Sequence, residues 1–446
     1  MKQVNHSILI IFLCLFLNVF TLSAQQQQEI PKEERLAWFK DAKLGVFIHW
    51  GIYAVNGIDE SWSFYNNYIS YTDYMKQLNG FTAKNYNPNK WAKLIKESGA
   101  KYTIITTKHH DGVALWDSKF GTLNTVNKTP AKKDLIKPFV KAIRKQHLKV
   151  GLYYSLLDWS HPNYPNFTKT KSRYKKDEKR WADFTKYNFG QLNELTQFNP
   201  DLYWFDGDWE QPAEKWKAKE IRHLLLAKNP NTIINSRLQG YGDYATPEQG
   251  IPIKKPTSKF WELCMTMNNS WGYQPNDKNY KTVNQIIRIL VDCISMGGNL
   301  LLDIAPKPDG TIPSEQVTIL KGLGRWTKKH KEAIYGTRAG IPKEHFNGYT
   351  ALSKDKTILY LYVDNKPNGP LLIKGLKNKV NRVWVVGNGT KLSHKVIGKQ
   401  YWSSTPGMLY IDVPEKAQDK DVTVIAVLLK GEVALFNEEV KAIESN

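Results

Sequence analysis

The sequence predicts a (β/α)8-like barrel followed by an all-β sandwich. Short, fully apolar runs alternate with amphipathic stretches over roughly the first three quarters of the chain, which is typical of parallel strands covered by helices. Six or more such units favour a closed barrel. An open doubly wound sheet is the alternative, but no G-x-G-x-x-G follows the first apolar run. From about residue 340, alternating β-branched runs and Asn-Gly turns replace the helical pattern and indicate a sandwich.

The predicted elements follow in chain order. Apolar runs predict strands at 43–51, 101–112, 148–159, 200–209, 231–237, 258–266 and 299–306. Between them, amphipathic stretches predict helices at 89–100, 133–147, 181–198, 214–229 and 283–298. We divide the chain into residues 1–24, a barrel at 25–340 and a sandwich at 341–446, with the seam between Tyr335 and His345.

Residues 1–24 have the pattern of a signal peptide. One lysine precedes an apolar run from Ile8 to Leu22, and the small residues Ser23 and Ala24 follow. An uncleaved membrane anchor is the alternative, although the run is short for a span. We therefore expect a secreted protein without a stable membrane anchor, in the periplasm of a Gram-negative bacterium.

Composition narrows the class of protein. The net charge is +21, yet the lysines are scattered and no nucleic-acid motif accompanies them, so we expect a basic surface and no nucleic-acid partner. Aromatic residues make up 12% of the chain, which favours carbohydrate recognition. Cys264 and Cys293 lie in apolar stretches without a C-x-x-C motif, and we expect buried free thiols.

Polar side chains gather where the predicted strands end, which is where a barrel carries its active site. The first four strands end in the residues His49, His109, His110, Asp111, Tyr153, Tyr154, Asp158, Trp204, Asp206 and Asp208. The next two strands and the loop between them add Arg237, Glu248, Trp261 and Glu262. Acids inside an aromatic-walled pocket suit glycoside hydrolysis. A metal site of His49, His109, His110 and Asp206 is the alternative, although adjacent histidines on a strand point to opposite faces.

Six motifs in this order resemble glycoside hydrolase family 29, the α-L-fucosidases, over residues 36–310. They read WFKDAKLGVFIHWGIYAV, TTKHHDGVALWDS, GLYYSLLDW, DLYWFDGDW, FWELCMTMNNSWGY and GGNLLLDIAPKPDG. The resemblance implies an exo-acting enzyme that removes terminal α-L-fucose from glycans with retention of configuration, by double displacement and without a cofactor. Its substrate would be a fucosylated oligosaccharide or glycoconjugate. A non-catalytic fucose-binding protein on the same scaffold and a metal-dependent hydrolase stay open as alternatives, and so does the oligomeric state.

The resemblance assigns the nucleophile to Asp206, the aspartate of the W-x-D motif. Strand alternation agrees, because Asp206 faces the same side as Trp204 and Gly207 then allows an immediate turn. Asp208 and Glu210 are expected to hold nearby lysines or backbone N–H groups. For the acid/base, the family pattern favours Glu248 in the loop after Arg237, with Glu262 as the alternative.

The remaining family positions carry over as contacts to the sugar. They are His49, Trp62, His109, His110, Tyr153, Trp204 and Arg237, with Trp271 packing on the C6 methyl group. One departure concerns the segment after the first strand. The family has adjacent Glu and Trp there, whereas this chain reads DESWSF, so Glu60 is one residue out of step with Trp62.

Overall fold

The computed structural model describes residues 29–438, and its central feature is a parallel sheet that curves into a barrel. In chain order, the strands of this part are β1 Leu44–Ile48, β2 Tyr102–Lys108, β3 Lys149–Ser155, β4 Asn166–Thr168, β5 Lys171–Ser172, β6 Leu202–Asp206, β7 Ile233–Ile234, β8 Glu262–Thr266 and β9 Asn299–Ile304. Strands β4 and β5 form a small antiparallel hairpin, and the other seven form the barrel. The seven barrel strands lie in the order β7-β6-β3-β2-β1-β9-β8, and every pair is parallel. The predicted barrel-like fold is confirmed.

An irregular segment occupies the eighth position, between the two ends of this sheet. Residues 244–248 form three single parallel bridges: Asn235 with Tyr244, Ala245 with Trp261, and Glu248 with Cys264. We call residues 244–248 the closing segment. Because it links β7 to β8, it completes the wall of the barrel and brings Glu248 to the sheet.

Strand β7 is shorter than the predicted 231–237. The Asn235 side chain takes over the pairing, since its Oδ1 atom accepts the Phe205 N–H at 2.9 Å and its Nδ2 atom donates to the Phe205 carbonyl at 2.9 Å. An asparagine that binds a neighbouring backbone in this way ends the regular ladder. The chain is therefore free to turn before it reaches Arg237.

The α-helices surround the barrel. They are α1 Lys32–Arg35, α2 Ala37–Ala42, α3 Trp62–Tyr65, α4 Tyr71–Met75, α5 Pro88–Glu97, α6 Thr125–Lys128, α7 Ile136–Lys145, α8 Glu178–Thr196, α9 Ala213–Trp216, α10 Ala218–Lys228, α11 Val283–Ser295 and α12 Ser314–Lys329. The single helix predicted at 214–229 is wrong, because Lys217 has a φ of 54° and separates α9 from α10. The break leaves Trp216 buried, where its indole donates to the Asp208 carbonyl at 2.8 Å.

Two antiparallel sheets form the C-terminal part. Their strands are β10 Arg338–Ala339, β11 Tyr349–Leu352, β12 Ile358–Val363, β13 Leu371–Ile373, β14 Val380–Val385, β15 His394–Ile397, β16 Met408–Ile411 and β17 Thr423–Leu429. The sheets have the orders β10-β11-β12-β17-β14 and β13-β16-β15. Leu361 and Ile425 from the first sheet share a buried core with Ile373 and Ile411 from the second. This pairing of faces is a sandwich, as predicted.

Apolar side chains fill both the barrel lumen and the space between barrel and helices. Cys264 and Cys293 are buried and free, as expected. Between residues 29 and 438, no helix combines the length and apolar character that a bilayer span requires. The predicted leader at 1–24 lies outside the described residues.

Candidate active site

A cavity of about 160 Å³ opens at the carboxyl ends of the barrel strands. Aromatic, imidazole and carboxyl groups form its wall: Phe47, His49, Glu60, Trp62, His109, His110, Trp204, Asp206, Trp209, Arg237, Glu248 and Trp271. Nine of the eleven residues that the family resemblance assigns to the site therefore converge here. The other two, Tyr153 and Glu262, lie below the cavity.

Asp206 is the last residue of β6 and is 8% exposed. Both of its oxygens are held, because Arg237 Nη1 donates to Oδ1 at 2.8 Å and the Tyr153 hydroxyl donates to Oδ2 at 2.9 Å. Gly207 follows with a φ of 76°, a value that glycine adopts without strain, and the chain turns away at once. The carboxylate thus has a fixed orientation at the cavity floor.

Glu248 stands at the opposite, more open side of the same guanidinium. Arg237 Nη2 donates to Glu248 Oε2 at 2.5 Å, and the Glu248 side chain is 40% exposed. The charges of Asp206 and Glu248 hold the pKa of Arg237 above its ordinary value, although burial acts in the other direction. A single cation therefore joins a buried and an exposed carboxylate across the cavity.

Three histidines share one mode of attachment. Each is fixed through Nδ1: His49 to Asp303 Oδ1 at 2.8 Å, His109 to Ser61 Oγ at 2.6 Å, and His110 to Ser155 Oγ at 2.7 Å. Within residues 29–438, no protein hydrogen bond uses Nε2 of these rings. The His110 Nε2 atom lies 3.7 Å from Asp206 Oδ2. Each ring therefore keeps one nitrogen for a ligand.

Burial keeps these imidazoles neutral. It lowers the pKa of His110 to about 3, and it holds the pKa values of His49 and His109 well below the ordinary range. A neutral imidazole can donate or accept at Nε2, whichever a sugar hydroxyl requires. His109 and His110 both reach the cavity because β2 ends at Lys108, so the opposite-face rule for strands no longer applies to them.

The segment after β1 brings Glu60 into the wall, despite its altered spacing. Glu60 is buried, and burial raises its pKa to about 7. Its Oε1 atom accepts the Gly272 N–H, which ties it to the residue after Trp271. The extra residue, Ser61, has a structural role, because its hydroxyl forms the hydrogen bond with His109 Nδ1. The sequence put Glu60 one residue out of step with Trp62, yet the structure brings both side chains into the cavity wall.

Glu262 is not placed to act on a ligand. The sequence put it near the end of its strand, but β8 begins at Glu262, so this side chain lies deep in the barrel. It is fully buried and accepts from the Trp204 indole at 3.0 Å and the Tyr102 hydroxyl at 2.5 Å. Burial raises its pKa to about 7. Its contacts make it a support for Trp204.

Tyr153 and Trp204 form the layer between Glu262 and the cavity. Their rings stack with centroids 5.6 Å apart, and the Arg237 guanidinium carbon lies 4.4 Å from the Trp204 ring centroid. Tyr153 is fully buried and uses its hydroxyl on Asp206. The structure therefore places Tyr153 under Asp206, beneath the cavity wall.

Trp271 supplies the apolar part of the wall. Its ring lies 4.8 Å from His49 and 6.1 Å from Phe47, measured between centroids. These rings form a surface beside the imidazoles that offers no polar group except the ring nitrogens. Such a surface suits a methyl substituent next to hydroxyl groups.

Of the two acids after Asp206, Glu210 supports the loop with its carboxylate, through side-chain donors in place of the expected lysines or backbone N–H groups. Glu210 accepts from the Trp159 indole at 3.0 Å, the Tyr164 hydroxyl at 2.6 Å and the Asn166 amide at 2.9 Å. Asp208 contributes its backbone carbonyl to Trp216. The loop after β6 is thereby tied to the segment after β3.

The possibility of a metal centre has no support in side-chain geometry. Over residues 29–438, no group of three or more His, Cys, Asp or Glu side chains is arranged to hold a metal ion. The residues present fit a proton-transfer and nucleophile site with neutral imidazoles.

Comparisons with known proteins agree with this geometry. The family model described as Alpha-L-fucosidase matches residues 20–332. An alpha-L-fucosidase from Branchiostoma floridae is 30% identical over 390 residues, which cover 79% of this chain and 83% of that protein. The plasma alpha-L-fucosidase of Rattus norvegicus is 34% identical over 339 residues, covering 68% of this chain and 70% of that protein.

Solved structures show the same architecture. Alpha-L-fucosidase isoenzyme 1 from Paenibacillus thiaminolyticus has a TM-score of 0.81 at 33% identity, covering 90% of this chain and 99% of its own. A family 29 alpha-L-fucosidase from Bacteroides thetaiotaomicron, trapped as a covalent intermediate with 2-fluoro-fucosyl fluoride, has a TM-score of 0.79 at 26% identity and covers 91% and 98%. This chain belongs to the alpha-L-fucosidase family, glycoside hydrolase family 29.

Proposed function

We propose that this protein is a retaining exo-α-L-fucosidase, with Asp206 as nucleophile and Glu248 as acid/base. The observation that carries the assignment is the shared guanidinium of Arg237, which contacts one oxygen of each carboxylate. Retaining glycosidases require two carboxyl groups about 5–5.5 Å apart. Because Asp206 and Glu248 bind the two terminal nitrogens of one guanidinium, they lie close together and support such a pairing, whereas Glu262 lies below the cavity.

The two carboxylates differ in the way that their roles require. Asp206 is buried and held at both oxygens, so it is oriented to attack the anomeric carbon and form a fucosyl ester. Glu248 lies at the exposed side, where the leaving oxygen departs and water arrives. It would first donate a proton to the leaving oxygen and then remove one from the attacking water.

The remaining wall supports recognition of fucose. The Nε2 atoms of His49, His109 and His110 can bind hydroxyl groups in either direction, because the rings are neutral. The face of Trp271 can cover the C6 methyl group. The cavity of about 160 Å³ is well below the roughly 300–1,000 Å³ of a drug-sized pocket, which favours one terminal sugar ring.

Turnover of an aryl α-L-fucoside, followed by NMR, tests this function. We expect hydrolysis with α-L-fucose as the first-formed anomer, before mutarotation. An aryl α-L-galactoside is the matched control, because it differs from the fucoside only in carrying a polar C6 hydroxyl towards Trp271, and it should react far more slowly. Release of β-L-fucose first, or no turnover, would contradict the assignment.

We also propose that the protein is secreted, as a periplasmic enzyme whose first residues are removed near Ala24. The support is the arrangement of Lys2, the apolar run at 8–22 and the small residues before the glutamines. N-terminal sequencing of the mature protein from a Gram-negative host tests this proposal. A mature chain that still begins at residue 1 would contradict it.

A further inference from the structure

We propose that Trp209 is the binding platform for the leaving group, and that it stacks on the first pyranose ring beyond the fucose. The proposal rests on the fucosidase function proposed above and extends it to the far side of the bond that is cut. The ligand class is a hexopyranose that carries the fucose and presents its apolar C–H face to an indole.

Trp209 lies at the mouth of the cavity. Among the residues that line the cavity, Trp209 and Glu248 are the two exposed ones, and the others are buried or half-buried. Because the cavity holds one sugar ring, anything attached to that ring must leave past these two side chains. Glu248 would protonate the bridging oxygen there, so the first leaving-group sugar lies where Trp209 can touch it.

The exposed surface of Trp209 is accessible to a ligand. Half of its surface is in water, although an indole gains free energy from burial. Its neighbour Trp62 stacks against it with centroids 6.0 Å apart and an interplanar angle of 14°. One ring face is therefore supported by protein, and the exposed part stays available to a ligand.

The segment that carries the Trp209 ring is held rigidly. Trp209 lies in the short 3-10 helix Asp208–Glu210, directly after the left-handed Gly207. Glu210 is held by three donors, and the Asp208 carbonyl accepts from both Trp216 and Gln239. Since the residues on both sides are fixed, the backbone that carries the indole cannot move away from the mouth without breaking these bonds. A preorganised aromatic surface loses little entropy when it binds.

The test compares substrates with and without a leaving-group sugar. In Trp209→Ala, kcat/KM for fucosyl-hexose disaccharides should fall by roughly tenfold or more, because the stacking contact is lost. Fucosyl fluoride has no sugar at that position, so its kcat/KM should fall much less. Trp209→Phe, which keeps a smaller ring, should give an intermediate loss on the disaccharides.

The matched control is Trp402→Ala, which removes another exposed tryptophan from the C-terminal sandwich, 68% exposed and outside the cavity. It should change neither reaction. Equal losses on both substrates in Trp209→Ala would show that the ring supports the fucose cavity itself, and unchanged disaccharide turnover would show that no platform exists; either result overturns the proposal. Failure of the wild-type protein to hydrolyse fucosyl fluoride would instead contradict the fucosidase function.

Discussion

The floor and the rim of the cavity are built on different principles. At the floor, Asp206 and the imidazoles follow strand ends, are buried, and are each fixed by a hydrogen bond to a neighbouring strand or loop. At the rim, Glu248 and Trp209 stand on irregular segments and are exposed. In the proposed function, the floor therefore binds the fucose that every substrate shares, whereas the rim meets the leaving group and the attacking water.

This contrast separates the expected effects of substitutions. A change at the floor should affect every substrate alike, because all substrates present the same fucose. A change at the rim should depend on what is attached to the fucose.

Asp206→Gly should lower kcat by about 10⁴-fold or more on every substrate, because no covalent intermediate can form. Added azide should restore turnover of an activated aryl fucoside and yield a fucosyl azide of inverted configuration, since a small anion fits the space of the lost carboxymethyl group. Mass spectrometry and NMR of the product measure this. Asp208→Gly, two residues along and outside the cavity, is the control, and near-wild-type activity of Asp206→Gly would refute the assignment.

Glu248→Ala should slow some substrates far more than others, as expected for a residue at the rim. Fucosides with poor leaving groups need a proton donor and should lose about 10²–10⁴-fold in kcat/KM, whereas activated aryl fucosides should lose far less. The slope of log kcat/KM against leaving-group pKa measures the difference. Glu262→Ala is the matched variant, and the same leaving-group dependence in that variant, without it in Glu248→Ala, would reverse the two roles.

The sequence predicted the floor better than the rim, for a physical reason. Continuous apolar strands and period-two alternation mark where strands end, so His49 and Asp206 could be placed from the pattern itself. The stretch from 238 to 257 has no periodicity, so the pattern placed Glu248 only in a loop beyond Arg237, and the family resemblance supplied its role. Its role in closing the barrel depends on single bridges to distant strands, which no local pattern reveals.

Depth within the barrel could not be predicted from the sequence. Glu262, the alternative acid/base candidate, begins β8 and so lies at the opposite end of the strand from the cavity. Tyr153 points the right way and lies one layer too deep. Trp209 was not predicted as a site residue, because an exposed tryptophan in the loop after a strand belongs to no periodic pattern.

Tyr153→Phe tests the layer directly beneath the floor. It removes the hydroxyl that donates to Asp206 Oδ2 and leaves the stacked ring in place, so kcat/KM should fall by about tenfold on all substrates. Steady-state kinetics with fucosyl fluoride and a disaccharide measure this. Tyr154→Phe removes an equally buried hydroxyl that binds Asn188, on the other side of the sheet. A loss confined to the disaccharide would contradict a floor role for Tyr153.

Glu262→Gln tests the deepest layer, where the expected effect is on stability. Burial raises the pKa of Glu262 to about 7 from 4.5, so between these values the folded protein holds a proton that the unfolded chain has lost. The free energy of unfolding must therefore fall as pH rises from 4.5 to about 7. A glutamine is neutral throughout, so this contribution, on the order of 2 kcal/mol, should disappear.

Thermal unfolding of both proteins at about pH 5 and about pH 7.5 measures the difference. Glu60 and Asp111, whose pKa values burial raises to about 7 and about 6, act in the same direction and remain in the variant. The loss of Tm with rising pH should therefore shrink without vanishing. Glu194→Gln is the control, since Glu194 also accepts a tryptophan indole but lies half-buried outside the barrel lumen. An unchanged pH dependence in Glu262→Gln would mean that Trp204 and Tyr102 are bound to an ionised carboxylate, whose charge would then stabilise Arg237 above it.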